Sequence, residues 1–155
     1  MKPRVDIRKY ITSDLGQAIL KLGKAVESSG LEQSLLGLVE VRASQINQCA
    51  YCIDMHWKDA RARGETEQRL YGLDAWRESP YYSERERAAL EWTEAVTRVA
   101  DTQVPDEVYE QVRRHFDEGQ IVALTFAAAT INAWNRLSIS LRAPAGTYQP
   151  QGVHA

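Results

Sequence analysis

Apolar residues recur along the chain at spacings of three and four, the mark of amphipathic helices. Leu15, Ile19, Leu22 and Val26 share one face of a helix predicted over Thr12 to Ser28, with Gly30 as its stop. Leu31, Leu35, Val39, Ala43 and Ile46 do the same for a second helix, Leu31 to Ile46, which breaks at Asn47-Gln48. A third runs from Cys49 to about Arg63 and closes on Lys58, Arg61 and Arg63 before Gly64, as the helix dipole favours. A fourth covers Thr66 to Arg77, and residues 78–82 read as a loop. Ser83-Glu84-Arg85-Glu86 forms a capping box opening a fifth helix, carried by Ala89, Leu90, Trp92, Ala95 and Val96 to about Ala100. Pro105 suits the first turn of a sixth, ending near Phe116. Asp117 to Gln120 can cap the last and most apolar helix, Ile121 to about Leu141. A helix apolar nearly all round belongs in a core or an interface. No run alternates as a strand does and no repeat is visible, so the pattern predicts an all-α fold of about seven helices over residues 1–143. Pro144, Gly146, Pro150 and Gly152 predict a loose tail over residues 144–155.

Composition narrows the class. A chain of 155 residues with 44% apolar and 26% charged positions is an ordinary single globular domain. With 19 basic and 21 acidic side chains the net charge is −2, which argues against nucleic acid as a partner. No apolar stretch approaches the roughly 18 residues that suggest a membrane span. No apolar run follows the N-terminus as a secretory signal requires, so a cytoplasmic location is expected. There, thiols are kept reduced, and paired cysteines point to redox or metal chemistry before structural cross-linking.

The only two cysteines, Cys49 and Cys52, stand three apart, with His56 four residues further on. At about 100° per residue on a helix, all three fall within about 60° of one another. Both thiols lie at a helix start, where free N–H groups and the dipole favour a thiolate. An imidazole one turn on can accept the Cys52 proton, and a second thiol can close a disulfide before over-oxidation. The dipole favours Cys49 by about 0.3–1 kcal/mol, while an adjacent cation can lower a thiol pKa by several units. On this reasoning Cys52 attacks and Cys49 resolves. Two alternatives stand beside that enzyme. One is a non-catalytic redox sensor or adaptor using the same thiols. The other is a zinc-stabilised module in which Cys49, Cys52 and His56 are joined by Asp54 or Asp59.

The stretch Ser44-Gln45-Ile46-Asn47-Gln48-Cys49-Ala50-Tyr51-Cys52-Ile53-Asp54-Met55-His56-Trp57-Lys58-Asp59-Ala60-Arg61 resembles the alkylhydroperoxidase AhpD-like branch of the carboxymuconolactone decarboxylase family. The resemblance continues through residues 64–70 and 84–94 and at Ile131-Asn132-Ala133-Trp134-Asn135-Arg136. It implies an all-helical fold, assembly into a trimer or hexamer, and peroxidase or disulfide-reductase activity with no bound cofactor. It implies reduction by a dithiol such as a lipoyl group on a lipoyl-bearing protein, and service to a peroxiredoxin. Carried over, Cys52 attacks, Cys49 resolves and His56 relays the proton. The family's relay glutamate, twelve residues before the first cysteine, is here Gly37, and its common Asn-Gly is here Asn47-Gln48. Glu40, one turn further along the same helix, is the candidate replacement relay; a surface ion-pairing role is its competing reading. Tyr51, Asn132 and Trp134 are candidates to border the site, and Glu84 to Glu94 reads as a solvated charged face.

Overall fold

The structure, a computed structural model, describes residues 2–150. Every regular element among them is helical, as the pattern predicts. A 3-10 turn at Ile7–Tyr10 precedes α1 (Asp14–Glu27), α2 (Gln33–Ile46) and α3 (Ala50–Ala62). Then come α4 (Glu67–Tyr71), α5 (Glu84–Thr97), α6 (Val99–Thr102), α7 (Asp106–Val112) and α8 (Glu118–Leu141). Among the described residues no helix is long and apolar enough to cross a membrane.

The caps explain the boundaries. Ser13, Thr66, Ser83 and Asp117 each accept a hydrogen bond from a backbone N–H of the first turn they precede. Ser83 with Glu86, and Asp117 with Gln120, form reciprocal capping boxes. The predicted fourth helix is shorter than expected and is followed by a 3-10 turn at Leu73–Ala75. Gly72 makes that tightening possible: a Cβ there would sit 3.1 Å from the Gln68 carbonyl oxygen. The fifth helix stops at Thr97, where Arg98 leaves helical geometry and α6 starts afresh.

α2 is the centre of the molecule, packed by α3, α5 and α8. One core joins Leu35, Leu36 and Val39 to Ala89, Trp92, Leu124 and Ala127. A second joins Leu38 and Val41 to Leu70, Leu73, Trp76 and Leu90. A third and smaller one holds Ala43, Cys49, Cys52 and Ile131. Because α2 borders all three, it is buried on nearly every side, and its apolar positions extend beyond the single stripe the spacing predicts.

Three expectations need correction. The α1 stripe is mostly not core: Val26 is buried, but Leu15 is 85% exposed and Leu22 is exposed too. α1 packs on α8 and reaches the core through Val26, while Ile19 borders the cavity and Leu15 and Leu22 face water. The Glu84 to Glu94 face is not uniformly solvated. Glu94 is buried and accepts hydrogen bonds from Arg42, Trp76 and Arg77. Residues 144–150 are held against α3: Gly146 N–H donates to Asp54 at 3.1 Å, Lys58 to the Tyr148 carbonyl at 3.0 Å, and the Tyr148 hydroxyl to Asp59 at 2.8 Å. Positions 151–155 of the expected tail, and His154 with them, lie outside the described residues.

Candidate redox site

The site is built at the turn between α2 and α3. Gln48 adopts φ +57°, left-handed backbone in which glycine is at ease and glutamine is strained. This is the position where the resembled pattern carries glycine. The turn is held by Asn47, whose side-chain amide donates to the Ala43 carbonyl, Asn132 and Asn135 at 2.8 to 3.0 Å. Cys49 is then the N-cap of α3: its sulfur accepts the Cys52 N–H at 3.4 Å. Both cysteines are free thiols, each only 1% exposed.

The two sulfurs share one proton relationship. The Cys52 thiol donates to Cys49, and this, against the cost of burial, lowers the Cys49 pKa to about 6; the Cys52 N–H, Ser138 and Asn135 add their donors. The same bond, with burial and the neighbouring negative charge, pushes the Cys52 thiol up. The helix-cap geometry thus places the pair's charge on Cys49, whereas the spacing favours Cys52. The reason is visible in the ring that was expected to assist it. His56 Nδ1 sits 3.0 Å from Glu40 Oε2, and Nε2 is buried with no partner, so neither nitrogen bonds to the Cys52 sulfur. Burial opposes charge on His56, but the Glu40 carboxylate outweighs it, with help from Asp59, and the histidine stays above its ordinary value.

Cys52, His56 and Glu40 line a cavity of about 470 Å³, with Met55, Ile131 and Trp134 among its apolar walls. Cys49 is not among the lining residues, so access favours Cys52 while acidity favours Cys49. Trp134 borders the cavity as expected, and so does Tyr51. Asn132 does not; it donates to Thr97 and supports Asn47 from behind. Asn135 and Ser138 went unnoticed in the sequence. The available signal was Asn135 within the resembling stretch Ile131 to Arg136, with Ser138 three residues on along the same helix. Among the described residues no three His, Cys, Asp or Glu side chains gather as a metal site would require. Asp54 is engaged by Lys58 and Gly146, and Asp59 by Tyr148.

The all-helical domain that carries this buried Cys-x-x-Cys pair shares its fold with AhpD-like structures. The chain belongs to the carboxymuconolactone decarboxylase family, whose model matches residues 13–95. It is 46% identical over 123 residues to the uncharacterized protein YdfG of Bacillus subtilis, covering 79% of this chain and 84% of that one. A crystal structure from Agrobacterium tumefaciens, a protein of unknown function placed in antioxidant defence as AhpD only provisionally, superposes with a TM-score of 0.90 at 41% identity. That match covers 95% of this chain and all of the other. An uncharacterized peroxidase-related protein of Ralstonia eutropha, with an alkylhydroperoxidase AhpD core, shares the fold at a TM-score of 0.80 and 20% identity, over 94% of this chain and 77% of its own.

Proposed function

We propose that this protein is a thiol-dependent peroxidase and disulfide reductase of antioxidant defence. The observation that carries the reading is His56: one ring nitrogen is tied to Glu40 and the other is a buried polar atom without a partner, on a residue lining the cavity that Cys52 also lines. Such a nitrogen suits a proton donor to a leaving oxygen or sulfur.

The reduced site starts as a Cys49 thiolate, a Cys52 thiol and a His56 imidazolium. Cys52 passes its proton to Cys49 along their existing hydrogen bond and attacks the outer oxygen of a hydroperoxide. An S–O bond forms, the O–O bond breaks, and the departing alkoxide takes the His56 proton as the alcohol. The Cys49 sulfur then attacks the Cys52 sulfenic acid. An S–S bond forms, and the hydroxide leaves as water with the Cys49 proton. A small dithiol, such as a lipoyl group, reduces the disulfide by exchange; of its two hydrogens one ends on Cys52 and one on His56, and Cys49 is left as the thiolate. A lipoyl-bearing protein as donor and a peroxiredoxin as client complete the proposal, in the reducing cytoplasm and without a bound cofactor.

Stoichiometric peroxide should therefore remove two hydrogens by intramolecular disulfide formation, and dihydrolipoamide should sustain turnover. The rate should rise through about pH 6 as the pair loses its first proton. It should fall again above the ordinary imidazole value of about 6.5 as His56 loses its own. Mass spectrometry and a pH–rate profile on one sample decide this. Sulfonic acids with no disulfide overturn the mechanism, and a disulfide without turnover leaves the redox sensor as the better reading.

The same proposal includes assembly into a trimer or hexamer. Val122 and Phe126 on α8, with Leu15 on α1, form exposed apolar surface that a lone copy leaves in water. Light scattering should return a multiple of 17.5 kDa, and a single-copy mass at micromolar concentration would count against it.

A further inference from the structure

The C-terminal segment lies on the redox cavity. Gly146, at φ +96°, turns the chain so that its N–H meets Asp54, while Lys58 clamps the Tyr148 carbonyl. Tyr148 is thereby set half-buried against α3, with its hydroxyl donating to Asp59 at 2.8 Å. Tyr148 and Asp59 both line the cavity that holds Cys52 and His56. We propose that Tyr148 is a positioning residue for the redox site: its phenol fixes the Asp59 carboxylate on the cavity shared with His56, and its ring is part of that cavity's wall. The proposal rests on the redox reading only for the use made of the His56 proton.

The electrostatic setting shows why one hydrogen bond matters. Besides His56, the charged and titratable groups around the cavity are Glu40 from α2, Tyr51, Cys52 and Asp59 from α3, Arg63 at its C-cap, Lys24 and Glu27 from α1, and Arg8 and Tyr148. α8 contributes only uncharged side chains there, among them Thr130, Ile131 and Trp134. Against the cost of burial, Glu40 and Asp59 favour the imidazolium, while Arg63 opposes it. Arg63, the residue that caps the end of α3, follows Asp59 by four positions, within reach of an opposite charge one turn back. The phenol holds the carboxylate against that alternative. Without it, Asp59 is free to turn to Arg63, its support for the imidazolium weakens, and His56 releases its proton at lower pH.

The test is an NMR titration of the His56 imidazole in the full chain, its signal assigned by loss in His56→Gln. Tyr148→Phe keeps the ring and its packing and removes only the donor. It should lower the His56 midpoint by up to about one pKa unit. Asp59→Asn should lower it comparably, and the double variant should go no further, since both act through one contact. The alkaline limb of peroxide turnover should move in parallel. An unmoved midpoint in Tyr148→Phe, or shifts that add in the double variant, overturns the proposal. The titration requires no turnover, so an inactive wild type would sink the peroxidase reading while leaving this result to be read on its own.

Discussion

Replacing Glu40 with Gln is expected to cut peroxide turnover by about 100-fold, the lower end for one acid–base group. The geometry locates the carboxylate. α2 and α3 pack against each other and run in opposite senses: a Cβ on Gly37 would lie 3.7 Å from the Ala60 Cβ, while Glu40 reaches His56 at 3.0 Å. Three residues forward on α2 match four residues back on α3, so Glu40, not position 37, lies opposite the histidine. Glutamine keeps the shape but loses the charge that holds His56 protonated against burial. The imidazolium needed by the leaving oxygen is then scarce at neutral pH. Glu40 is 26% exposed in its side chain, so the fold should lose little. Steady-state rates with peroxide and dihydrolipoamide check this; a wild-type rate in Glu40→Gln would remove the carboxylate from the mechanism.

The largest loss of stability is expected from Glu94→Ala, at about 3 kcal/mol, the low end for breaking a buried pair. Arg42 donates to Glu94 at 2.7 Å, and both side chains are below a tenth exposed. Trp76 and Arg77 each donate to the same carboxylate at 2.8 Å. Alanine leaves a buried guanidinium and an indole N–H short of their acceptor. Arg42 retains Asp74 and Gln45, which is why the low end applies. Burial opposes the Glu94 charge, but the bonds from Trp76, Arg77 and Arg42 outweigh it and hold its pKa below the usual range. The stability it supplies is thus present above the unfolded value of about 4.3 and is lost as pH falls through the lower folded value. Urea unfolding reads both effects as a shifted midpoint with unchanged slope. A loss under about 1 kcal/mol would mean the cluster is replaceable, as some buried ion pairs are.

Local signals were legible wherever a residue acts within its own turn. Ser83 with Glu86 and Asp117 with Gln120 announced helix starts, and the Cys49, Cys52 and His56 spacing announced the redox site. Glu40 could be suggested from its helical face, because one turn is all that separates it from Gly37. What stayed hidden depended on partners distant in sequence. Glu94 looks like any surface glutamate until Arg42, 52 residues away, is brought to it. Which sulfur carries the charge depends on partners of the same kind. The spacing from Cys52 to His56 is visible, but Glu40 claiming one ring nitrogen, and Asn135 with Ser138 supporting Cys49 from α8, are products of the fold. The α1 stripe is a different case: its periodicity is genuine, but amphipathic spacing does not say whether the apolar face meets a core, a cavity or solvent.

The sulfur that begins α3 caps the helix, and if the proposed chemistry holds it is also a reactant, which would tie redox state to local fraying. As an anion, Cys49 is a strong acceptor for the first-turn amide of Cys52. In a disulfide the same sulfur is neutral and a much weaker acceptor, so oxidation loosens the opening turn without touching the core behind it. Under the proposed cycle, the oxidised molecule would meet its reductant with a softer helix start than the one that met the peroxide. An incoming dithiol would then find the buried S–S bond most approachable when it needs to be opened, and the cap would tighten again on reduction.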